Sequence, residues 1–434
     1  MDLRQDCDYI IKRALDAASP SAAVAKALAD KNFPRGRLIL IAIGKAAWTM
    51  SHASYEALGN RITGGAVITK YGHLKGHIGS LKLFEAGHPV PDENTYAATK
   101  AALKLTEGLN AEDTVLFLVS GGGSSLFENP LIAPEELQDI TSQMLKAGCA
   151  ITEINTIRKR LSAVKGGRFA EHCSPARIFS VVLSDIIGDP LDMIASGPAY
   201  PDSTTAKDAL RIAAKYQLRL SQQAKALLYQ ETPKSLDNVE TVITGSVREL
   251  CREAALACSS LGYEPLILTD SLDCEAKEAG SFLAAIARSY RDTDKSLAFI
   301  AGGETVVHVR GSGRGGRNQE LSLSAACGIA GLKNCAVFSC GSDGTDGPTD
   351  AAGGFVSGNT LRLLQKAGID IYRSLSDNDS YSALAACGGL IITGPTGTNI
   401  NDISVLLIRP SIDHCSKTIS KYYTHINHIQ GGIS

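Results

Sequence analysis

The sequence predicts two α/β domains, the first with a Rossmann-like, largely parallel sheet and the second with a mixed sheet. Short apolar runs such as Arg37–Ile43 and Thr114–Val119 alternate with longer helical segments, which is the pattern of a parallel sheet covered by helices. The chain has 434 residues, more than one hydrophobic core usually holds. A proline and polar residues break the pattern at Glu231–Asn238. We therefore expect one domain at residues 1–237 and another at residues 238–434.

The first domain is expected to contain four strands with helices between them. Apolar residues recur at helical spacing in residues 1–30, and a second helix is expected over Lys45–Leu58. Pro134–Cys149 has the pattern of an amphipathic helix. The four strands are expected at Arg37–Ile43, Gly65–Thr69, Thr114–Val119 and Arg177–Leu183.

The second domain is expected to be α/β as well, with weaker strands towards its end. A helix is expected to begin at Asn318. The strands are expected at Val239–Ile243, Glu264–Leu268, Leu297–Ile300, Thr305–Arg310, Cys335–Cys340, Ile391–Thr393 and Ile403–Ile408.

The composition is that of a globular protein without a basic surface. The formal net charge is −2, with 44% apolar and 20% charged residues, so neither nucleic acid nor an anionic membrane is an expected partner. The first turns carry acids and bases instead of a signal-peptide core. The eleven cysteines form no CxxC pair, which favours reduced thiols in the cytoplasm. We expect small-molecule substrates and a chain that works as a monomer or a homodimer.

A glycine-rich loop follows the clearest strand of the first domain. Its residues are Ser120, Gly121, Gly122, Gly123, Ser124 and Ser125. Consecutive glycines expose backbone N–H groups and allow positive φ, which suits an anion-binding nest, and the serines add hydroxyl donors. A flexible turn is the alternative, but such a turn rarely needs three glycines directly after a buried strand. We expect the loop to bind a phosphate or a carboxylate.

Lys45 stands at the end of the first predicted strand, directly after Gly44. A lysine in this place can reach a phosphate or a carboxylate as a point charge. The loop is not a Walker A motif, because no GxxxxG precedes it and Ala46 stands where that motif has Ser or Thr. A surface lysine is the alternative, yet a cation is unfavourable at a helix N-terminus. This favours a functional role for Lys45.

Two aspartates follow the fourth predicted strand. Asp185 lies nearest the strand end, where a carboxylate can accept a hydroxyl proton or hold magnesium. Asp189 precedes Pro190 and is either a magnesium ligand or a turn former. The basic segment before this strand contains Arg160 and Lys165, which are candidates for binding a substrate carboxylate. A solvated basic face is the alternative there.

The loop Gly311–Gly316 matches GxGxxG between the predicted strand Thr305–Arg310 and the predicted helix from Asn318. That is the context of a dinucleotide-binding fingerprint, so a dehydrogenase that uses NAD(P) is one interpretation. The loop holds Arg314 and is followed by Arg317, two cations beside Gly315 and Gly316, and no acidic residue stands about twenty positions on, where one would contact the ribose. Glycines with arginine suit a phosphoryl group in transfer at least as well.

An acidic loop, Gly341–Asp350, follows the predicted strand Cys335–Cys340. It contains Asp343, Asp346 and Asp350. Spaced carboxylates of this kind can hold magnesium directly or through water. A tight turn with Asx hydrogen bonds is an equal alternative.

Together these segments resemble the class II glycerate 2-kinases, whose C-terminal part is called the MOFRL domain. The resemblance runs in order from residue 44 to residue 402. The matching stretches are Gly44–Trp48, Glu85–Asn94, Leu118–Phe127, Asn155–Ala170, Leu183–Pro198, Gly302–His308, Gly315–Leu321, Gly341–Gly354 and Thr393–Asp402. Each stretch alone is a weak signal, and their joint occurrence is specific.

The resemblance implies phosphorylation of D-glycerate to 2-phospho-D-glycerate with ATP and Mg²⁺. It also implies two α/β domains with the active site in the cleft between them. Since Lys45 and Asp185 lie in the first expected domain and Arg317 in the second, we expect the site to assemble by domain closure. By this resemblance Lys45, Asp185 and Arg317 are the catalytic residues. The same family has been labelled hydroxypyruvate reductase, which keeps an NAD(P)-dependent reductase as the alternative activity.

Overall fold

The computed structural model describes residues 2–184, 186, 188 and 190–410, and the chain divides into two compact units. One unit is Pro20–Ser246, and the other is Met1–Ser19 together with Val247–Ser434. The division therefore falls after residue 246, whereas the sequence pattern placed it after residue 237. The first helix also joins the second unit, which a reading of local patterns along the chain does not reveal.

The described strands and helices largely follow the predicted alternation. The strands are β1 (Leu38–Ile43), β2 (Gly64–Lys70), β3 (Lys82–Ala86), β4 (Thr114–Val119), β5 (Arg177–Val182), β6 (Val239–Ile243), β7 (Glu264–Leu272), β8 (Leu297–Gly303), β9 (Cys335–Gly341), β10 (Gly353–Ser357), β11 (Leu390–Ile391) and β12 (Asp402–Ile408). The helices are α1 (Leu3–Ala17), α2 (Pro20–Leu28), α3 (Ala47–Leu58), α4 (Glu93–Leu105), α5 (Gly123–Leu126), α6 (Pro134–Lys146), α7 (Ile151–Arg160), α8 (Arg168–Cys173), α9 (Ala206–Lys215), α10 (Gln222–Leu228), α11 (Val247–Ser260), α12 (Ala276–Ser289), α13 (Arg317–Gly328), α14 (Thr360–Lys366), α15 (Ile371–Ser376) and α16 (Ser380–Ala386).

The unit Pro20–Ser246 is built on a six-stranded sheet in the order β3-β2-β1-β4-β5-β6. Every neighbouring pair in this sheet is parallel, which confirms the predicted Rossmann-like parallel sheet. From β1 the sheet is extended to one side by β2 and β3 and then to the other side by β4, β5 and β6. The strand order therefore reverses between β1 and β4, and ligands of such sheets bind at the carboxyl ends of these two strands.

The central strands are buried on both faces, which explains their continuous apolar runs. In β1, Ile39, Ile41 and Ile43 belong to one core cluster. The alternate residues Leu38, Leu40 and Ala42 belong to the cluster on the other face. Because successive side chains of a strand point to opposite faces, the strand must be apolar at every position. β1 and its partner β4 are therefore rigid supports for the loops that follow them.

The other unit contains a mixed six-stranded sheet in the order β11-β10-β9-β12-β8-β7. β7 and β8 are parallel, and the remaining neighbours are antiparallel. This confirms the mixed sheet predicted for the second half. The prediction that Val239–Ile243 belongs to this sheet is wrong, because that segment is β6 and pairs with β5 in the first sheet. It is half-buried at an edge, so its pattern alone did not show which sheet it joins.

The predicted strand Thr305–Arg310 is also wrong. β8 ends at Gly303, and in the following segment the structure has only an isolated bridge between Glu275 and Val306. Val306 and Val309 are 48% and 75% exposed. The branched residues that suggested a strand therefore do not cover a core, and they lie on an irregular surface segment.

The first helix packs within the second unit. Cys7, Ile10 and Ala14 of α1 lie in one apolar cluster with residues of α11. Its acidic residue Asp6 is buried and accepts a hydrogen bond from the hydroxyl of Tyr263 at 2.6 Å. Arg409 completes this contact with an ion pair to Asp6 at 2.7 Å. These contacts fix α1 to residues that lie more than 250 positions away along the chain.

None of the helices in residues 2–410 that the structure describes is both long enough and apolar enough to cross a membrane.

Candidate functional site

The loops after β1 and β4 meet at the point where the strand order of the first sheet reverses. We call residues 44–46 and 120–125 the switch-point loops. The amide of Ser120 donates to the carbonyl oxygen of Ile43 at 3.0 Å, and the amide of Lys45 donates to that of Gly121 at 2.9 Å. The Ser120 hydroxyl accepts from the amide of Ala46 at 3.1 Å and donates to Ile43 at 3.2 Å. The two predicted loops are therefore one bonded structure.

Gly44 is required by this close approach. Its φ is +111°, and a Cβ there would overlap the carbonyl oxygen and the hydroxyl of Ser120. We expect Gly44→Ala to lower the free energy of unfolding by about 2–4 kcal/mol and to lower activity as well, measured by thermal or urea unfolding and by turnover. Gly72→Ala is the matched control, because Gly72 also has a positive φ of 77° but open space around it. It should cost about 1 kcal/mol. Equal losses in the two variants would show that the loop contact contributes nothing.

Among the described residues, the hydrogen bonds of Lys45 are all made by its backbone. Its carbonyl oxygen accepts from the Thr69 hydroxyl at 3.4 Å and lies 3.0 Å from His73 Nδ1. A Cβ placed on Gly122 would lie 3.4 Å from Lys45 Cγ and 2.9 Å from the His88 ring. The pKa of His88 is lowered by burial and by the charge of Lys45. Lys45 and His88 therefore border the glycine loop, and at neutral pH His88 is the uncharged neighbour.

The glycine loop presents backbone N–H groups, as the sequence predicted. Gly122 has a φ of +85° and precedes α5, a single helical turn that begins at Gly123. Within the described residues, the amides of Gly121, Gly122 and Ser124 donate to no acceptor. Gly123 is buried against Ile43, and a Cβ there would lie 2.8 Å from that of Ala195. Some glycines of the loop therefore leave backbone N–H groups without an acceptor among the described residues, and Gly123 allows close packing against its neighbours.

Lys165 was predicted to bind substrate, and the structure places it beneath the glycine loop instead. Its side chain is fully buried, and its ammonium donates to the carbonyl oxygens of Ser124 at 2.7 Å and Phe127 at 2.9 Å. The buried carboxylate of Glu128 lies 3.5 Å away. Burial lowers the pKa of Lys165 to about 8. A cation whose protons are already directed at backbone carbonyls supports the loop from below.

In the other unit, Arg317 begins α13 and is bound by two carboxylates. Its Nε and Nη2 donate to the two oxygens of Asp402 at 2.5 and 3.1 Å. Its Nη1 donates to Glu304 at 2.7 Å. The Arg317 side chain is 33% exposed, whereas that of Asp402 is 7% exposed. Arg317 is therefore aimed by a buried partner and keeps two of its five N–H donors free of these bonds.

Burial and pairing act in opposite directions on the charges of this Arg317 cluster, defined by Glu304, Arg317 and Asp402. Burial raises the pKa of Asp402 to about 6, although Arg317 opposes the shift. Burial also acts against the charge of Arg317, but its bonds to Asp402 and the charge of Glu304 raise the pKa of the guanidinium above its ordinary value. At neutral pH the arginine is charged and Asp402 is ionised.

Asp346 occupies the N-terminus of α13. Its carboxylate accepts from the amides of Asn318 at 3.2 Å and Gln319 at 2.9 Å. Gly316 is needed here, because a Cβ on it would overlap the Asp346 carboxylate. Gly315 is likewise pressed against Ser380. The predicted phosphate-binding residues Gly315 and Gly316 therefore have a packing role in the structure.

The loop Gly311–Gly316 does not have the geometry of a dinucleotide fingerprint. No strand leads into it, and the amides in its first part already have acceptors on the segment between α15 and α16. The amide of Gly311 donates to Asn378 Oδ1 at 3.1 Å, that of Ser312 to Asp377 Oδ1 at 3.0 Å, and that of Arg314 to Asp379 Oδ1 at 3.2 Å. The amides of Asn318 and Gln319 at the helix N-terminus are bonded to Asp346 as well, so several of the amides that a pyrophosphate would use are already bonded to side chains of this protein.

Asp343 lies in a turn near Asp402, on the loop that follows β9. Its Oδ1 accepts from the amide of Thr345 at 3.0 Å. A Cβ on Gly341 would lie 3.4 Å from Oδ1 of both Asp343 and Asp402. Among the described residues there is no group of three or more His, Cys, Asp or Glu side chains that could hold a metal ion. Asp185 and Asp189 lie outside the described residues, so their predicted roles stay predictions.

Sequence reasoning missed Asp402, Glu304 and His88 as members of these sites. Glu304 directly follows β8, and Asp402 begins β12, which runs antiparallel to β8 with Asp402 opposite Gly303. Both residues therefore lie at the same edge of the sheet as the loop after β9. The position of Asp402 depends on the antiparallel pairing of β12 with β8, which no local sequence pattern indicates.

Comparisons with known proteins agree along nearly the whole chain. Residues 6–229 match the family described as a domain of unknown function, DUF4147, and residues 297–402 match the MOFRL family. A D-glycerate 2-kinase of Thermotoga maritima is 53% identical over 405 residues, which is 92% of this chain and 97% of that protein. A protein of Agrobacterium vitis named putative hydroxypyruvate reductase is 39% identical and covers 93% of this chain and 94% of its own.

The fold also matches a solved structure. The crystal structure of a glycerate kinase from Thermotoga maritima superposes with a TM-score of 0.90 at 52% identity, and the match covers 94% of this chain and 99% of that chain. The folds of both units therefore have a counterpart in a solved structure.

Proposed function

The chain belongs to the MOFRL-domain glycerate 2-kinase family, and from that membership we propose that it transfers the γ-phosphoryl group of ATP to the 2-hydroxyl of D-glycerate, giving 2-phospho-D-glycerate and ADP. The observation that carries the proposal is the 53% identity to a D-glycerate 2-kinase over nearly the full length of both chains. The exposed donors at the end of β4, with Lys45 beside them, are consistent with a substrate that carries negative charge.

Three residues carry the chemistry in this proposal. Phosphoryl transfer depends on positioning and on neutralising the oxygens of the moving group. Lys45 supplies one positive charge, and hydrogen bonds of its amide and its carbonyl oxygen hold its backbone in place. Arg317 supplies another, and its two bonds to Asp402 orient the guanidinium. Asp185 accepts the proton of the 2-hydroxyl as this oxygen attacks. The match of Lys45, Asp185 and Arg317 to the family's residues supports these roles.

Magnesium would be held largely by the nucleotide in this proposal. Mg²⁺ in kinases commonly takes one or two carboxylates together with substrate phosphates and water. Asp343 fits that limited role, since one of its oxygens is not used by the turn that it forms. Asp189 is the second candidate that we propose. The ion would neutralise phosphate charge, and the chain's own residues would bind and orient the hydroxy acid.

The reductase alternative finds no support in the loop that suggested it. A nicotinamide dinucleotide needs free amides at the start of a helix, and Asp346 accepts those of Asn318 and Gln319. We therefore assign the activity of this chain to phosphoryl transfer. The ten described cysteines are free thiols, which supports our proposal that the reaction takes place in a reducing compartment such as the cytoplasm.

A coupled assay tests the proposal directly. The purified protein should release ADP only when D-glycerate, ATP and Mg²⁺ are all present, and phosphorus NMR should identify 2-phosphoglycerate as the product. L-glycerate and tartronate serve as controls for stereochemistry and for the acid. NADH oxidation with hydroxypyruvate in the absence of ATP would overturn the proposal, and 3-phosphoglycerate as the product would overturn its regiochemistry.

A further inference from the structure

A chain of three polar side chains ends at the glycine loop. The Ser124 hydroxyl lies 3.0 Å from the Ser196 hydroxyl. The Ser196 hydroxyl donates to Asn155 Oδ1 at 3.1 Å. Ser196 is fully buried and Asn155 is 4% exposed, whereas Ser124 is half-buried on the loop. None of the predicted roles uses Asn155 or Ser196.

The number of protons available to these hydroxyl groups determines which serine donates in the bond between Ser124 and Ser196. A serine hydroxyl has one proton and two acceptor lone pairs. Ser196 uses its proton on Asn155, so in the contact between the two hydroxyl groups Ser124 is the donor. With its proton directed at Ser196, the half-buried Ser124 oxygen can offer a ligand of the loop lone pairs and no proton.

The backbone on both sides of these hydroxyl groups is fixed. The carbonyl oxygen of Ser124 accepts from Arg158 at 3.1 Å and from Lys165 at 2.7 Å. Ser196 has a left-handed φ of +61°, which a non-glycine residue adopts only where its surroundings impose it. The amide of Gly166 donates to the Ser196 carbonyl oxygen at 3.0 Å and helps to hold it there. Neither hydroxyl can therefore turn to a new partner by a backbone shift.

We propose that Ser196 and Asn155 are positioning residues that orient Ser124 as a hydrogen-bond acceptor, and that Ser124 binds a hydroxyl group of the hydroxy acid and not a phosphate oxygen of ATP. The inference rests on the proposed function. A phosphate oxygen has lone pairs only, so it would be repelled by an oriented acceptor, whereas a substrate hydroxyl can donate to it. The assignment makes Ser124 a specificity-determining residue for the acceptor substrate.

Steady-state kinetics of Ser124→Ala, Ser196→Ala and the double variant test the proposal. Ser124→Ala should raise the KM for D-glycerate about tenfold, the value of one lost hydrogen bond, and leave the KM for ATP unchanged. Ser196→Ala should give the same pattern. In the Ser124→Ala background, Ser196→Ala should have no further effect, because Ser196 acts only through Ser124. Ser196→Gly, which suits the left-handed backbone, should reproduce the kinetics of Ser196→Ala.

Ser180→Ala is the matched control. Ser180 is buried in β5 and bonds the hydroxyl of Tyr200 at 2.8 Å, so its loss should change stability and neither KM. Additive effects of the Ser124 and Ser196 substitutions would overturn the positioning role. A raised KM for ATP, or a raised Mg²⁺ requirement, with an unchanged KM for glycerate would overturn the assignment of Ser124 to the hydroxy acid. A wild-type protein without glycerate-dependent ADP release would instead overturn the proposed function.

Discussion

Arg317→Ala is expected to lower kcat by about a thousandfold or more, the range found when an arginine that stabilises phosphoryl transfer is removed. In the structure Arg317 is aimed by two bonds to the buried Asp402 and by a third to Glu304. The free N–H groups of the guanidinium are thus held in one direction before substrate binds. Because the proposed effect is on the transition state, the KM for ATP should change much less than kcat. The coupled ADP assay measures both.

The Arg317 variant needs controls for stability, because its loss leaves Asp402 buried without its positive partner. The pKa of Asp402, already about 6, should then rise further, and the carboxyl should bind a proton at neutral pH. Arg317→Ala combined with Asp402→Asn removes the whole pair and should refold better than Arg317→Ala alone, with equally low kcat. Arg317→Lys keeps a charge without the two-pronged geometry and should also be slow.

Arg314→Ala is the matched surface control for this experiment. Arg314 lies three residues before Arg317, is 52% exposed and stacks over the ring of Tyr381 with its Cζ 4.4 Å from the centroid. Its substitution should change kcat less than threefold. If a folded Arg317→Ala enzyme turned over at close to the normal rate, Arg317 would have no catalytic role.

Lys45→Met is the second substitution with a large expected effect. It should reduce kcat/KM by about 10²–10³-fold, the usual cost of removing one preorganised donor from a site of charge development. The fold should persist, because the bonds of Lys45 to Gly121, Thr69 and His73 are made by its backbone. Thermal unfolding of the variant should therefore be within a few degrees of the wild type.

The neighbouring lysine Lys75 provides the control for charge alone. It is exposed, and its ammonium lies 5.8 Å from the centre of the Trp48 ring. Lys75→Met removes one positive charge from the same unit and should leave kcat/KM within about twofold. A similar loss in both variants would mean that Lys45 contributes only to the general electrostatic field, and an active Lys45→Met enzyme would exclude Lys45 from the reaction.

The central part of the first sheet was predictable, because its strands are buried on both faces. β1 and β4 are apolar at every position, and each ends in a loop of unusual composition. β3 was missed because Lys82 is exposed and only Ala86 is buried in it, as befits a sheet edge. β10 was missed because it begins with Gly353 and Gly354, and glycine has a low propensity for strands. Position 353 requires a glycine, because a Cβ there would overlap the carbonyl oxygen of Ser339 on the neighbouring strand β9.

The candidate sites were predictable only where a loop carries its own signal. The glycine run after β4 indicated exposed amides, and these amides are present. The burial of Lys165 could not be predicted, because no local sequence pattern distinguishes a lysine that bonds to backbone carbonyls beneath a loop from one on the surface. Asp402 and Glu304 needed the register of β8 with β12, which is a long-range property of the sheet.

The packing of α1 against α11 has a consequence for how the chain is made. During synthesis the apolar face of α1 leaves the ribosome before its partner helix α11, which begins only at Val247. At ordinary translation rates the intervening residues take on the order of ten to fifty seconds. The contiguous unit Pro20–Ser246 can complete its parallel sheet in that time, whereas α1 must wait with Ile10 and Ala14 uncovered. Chaperones and proteases that act on the nascent chain therefore encounter it while α1 has no helix to pack against.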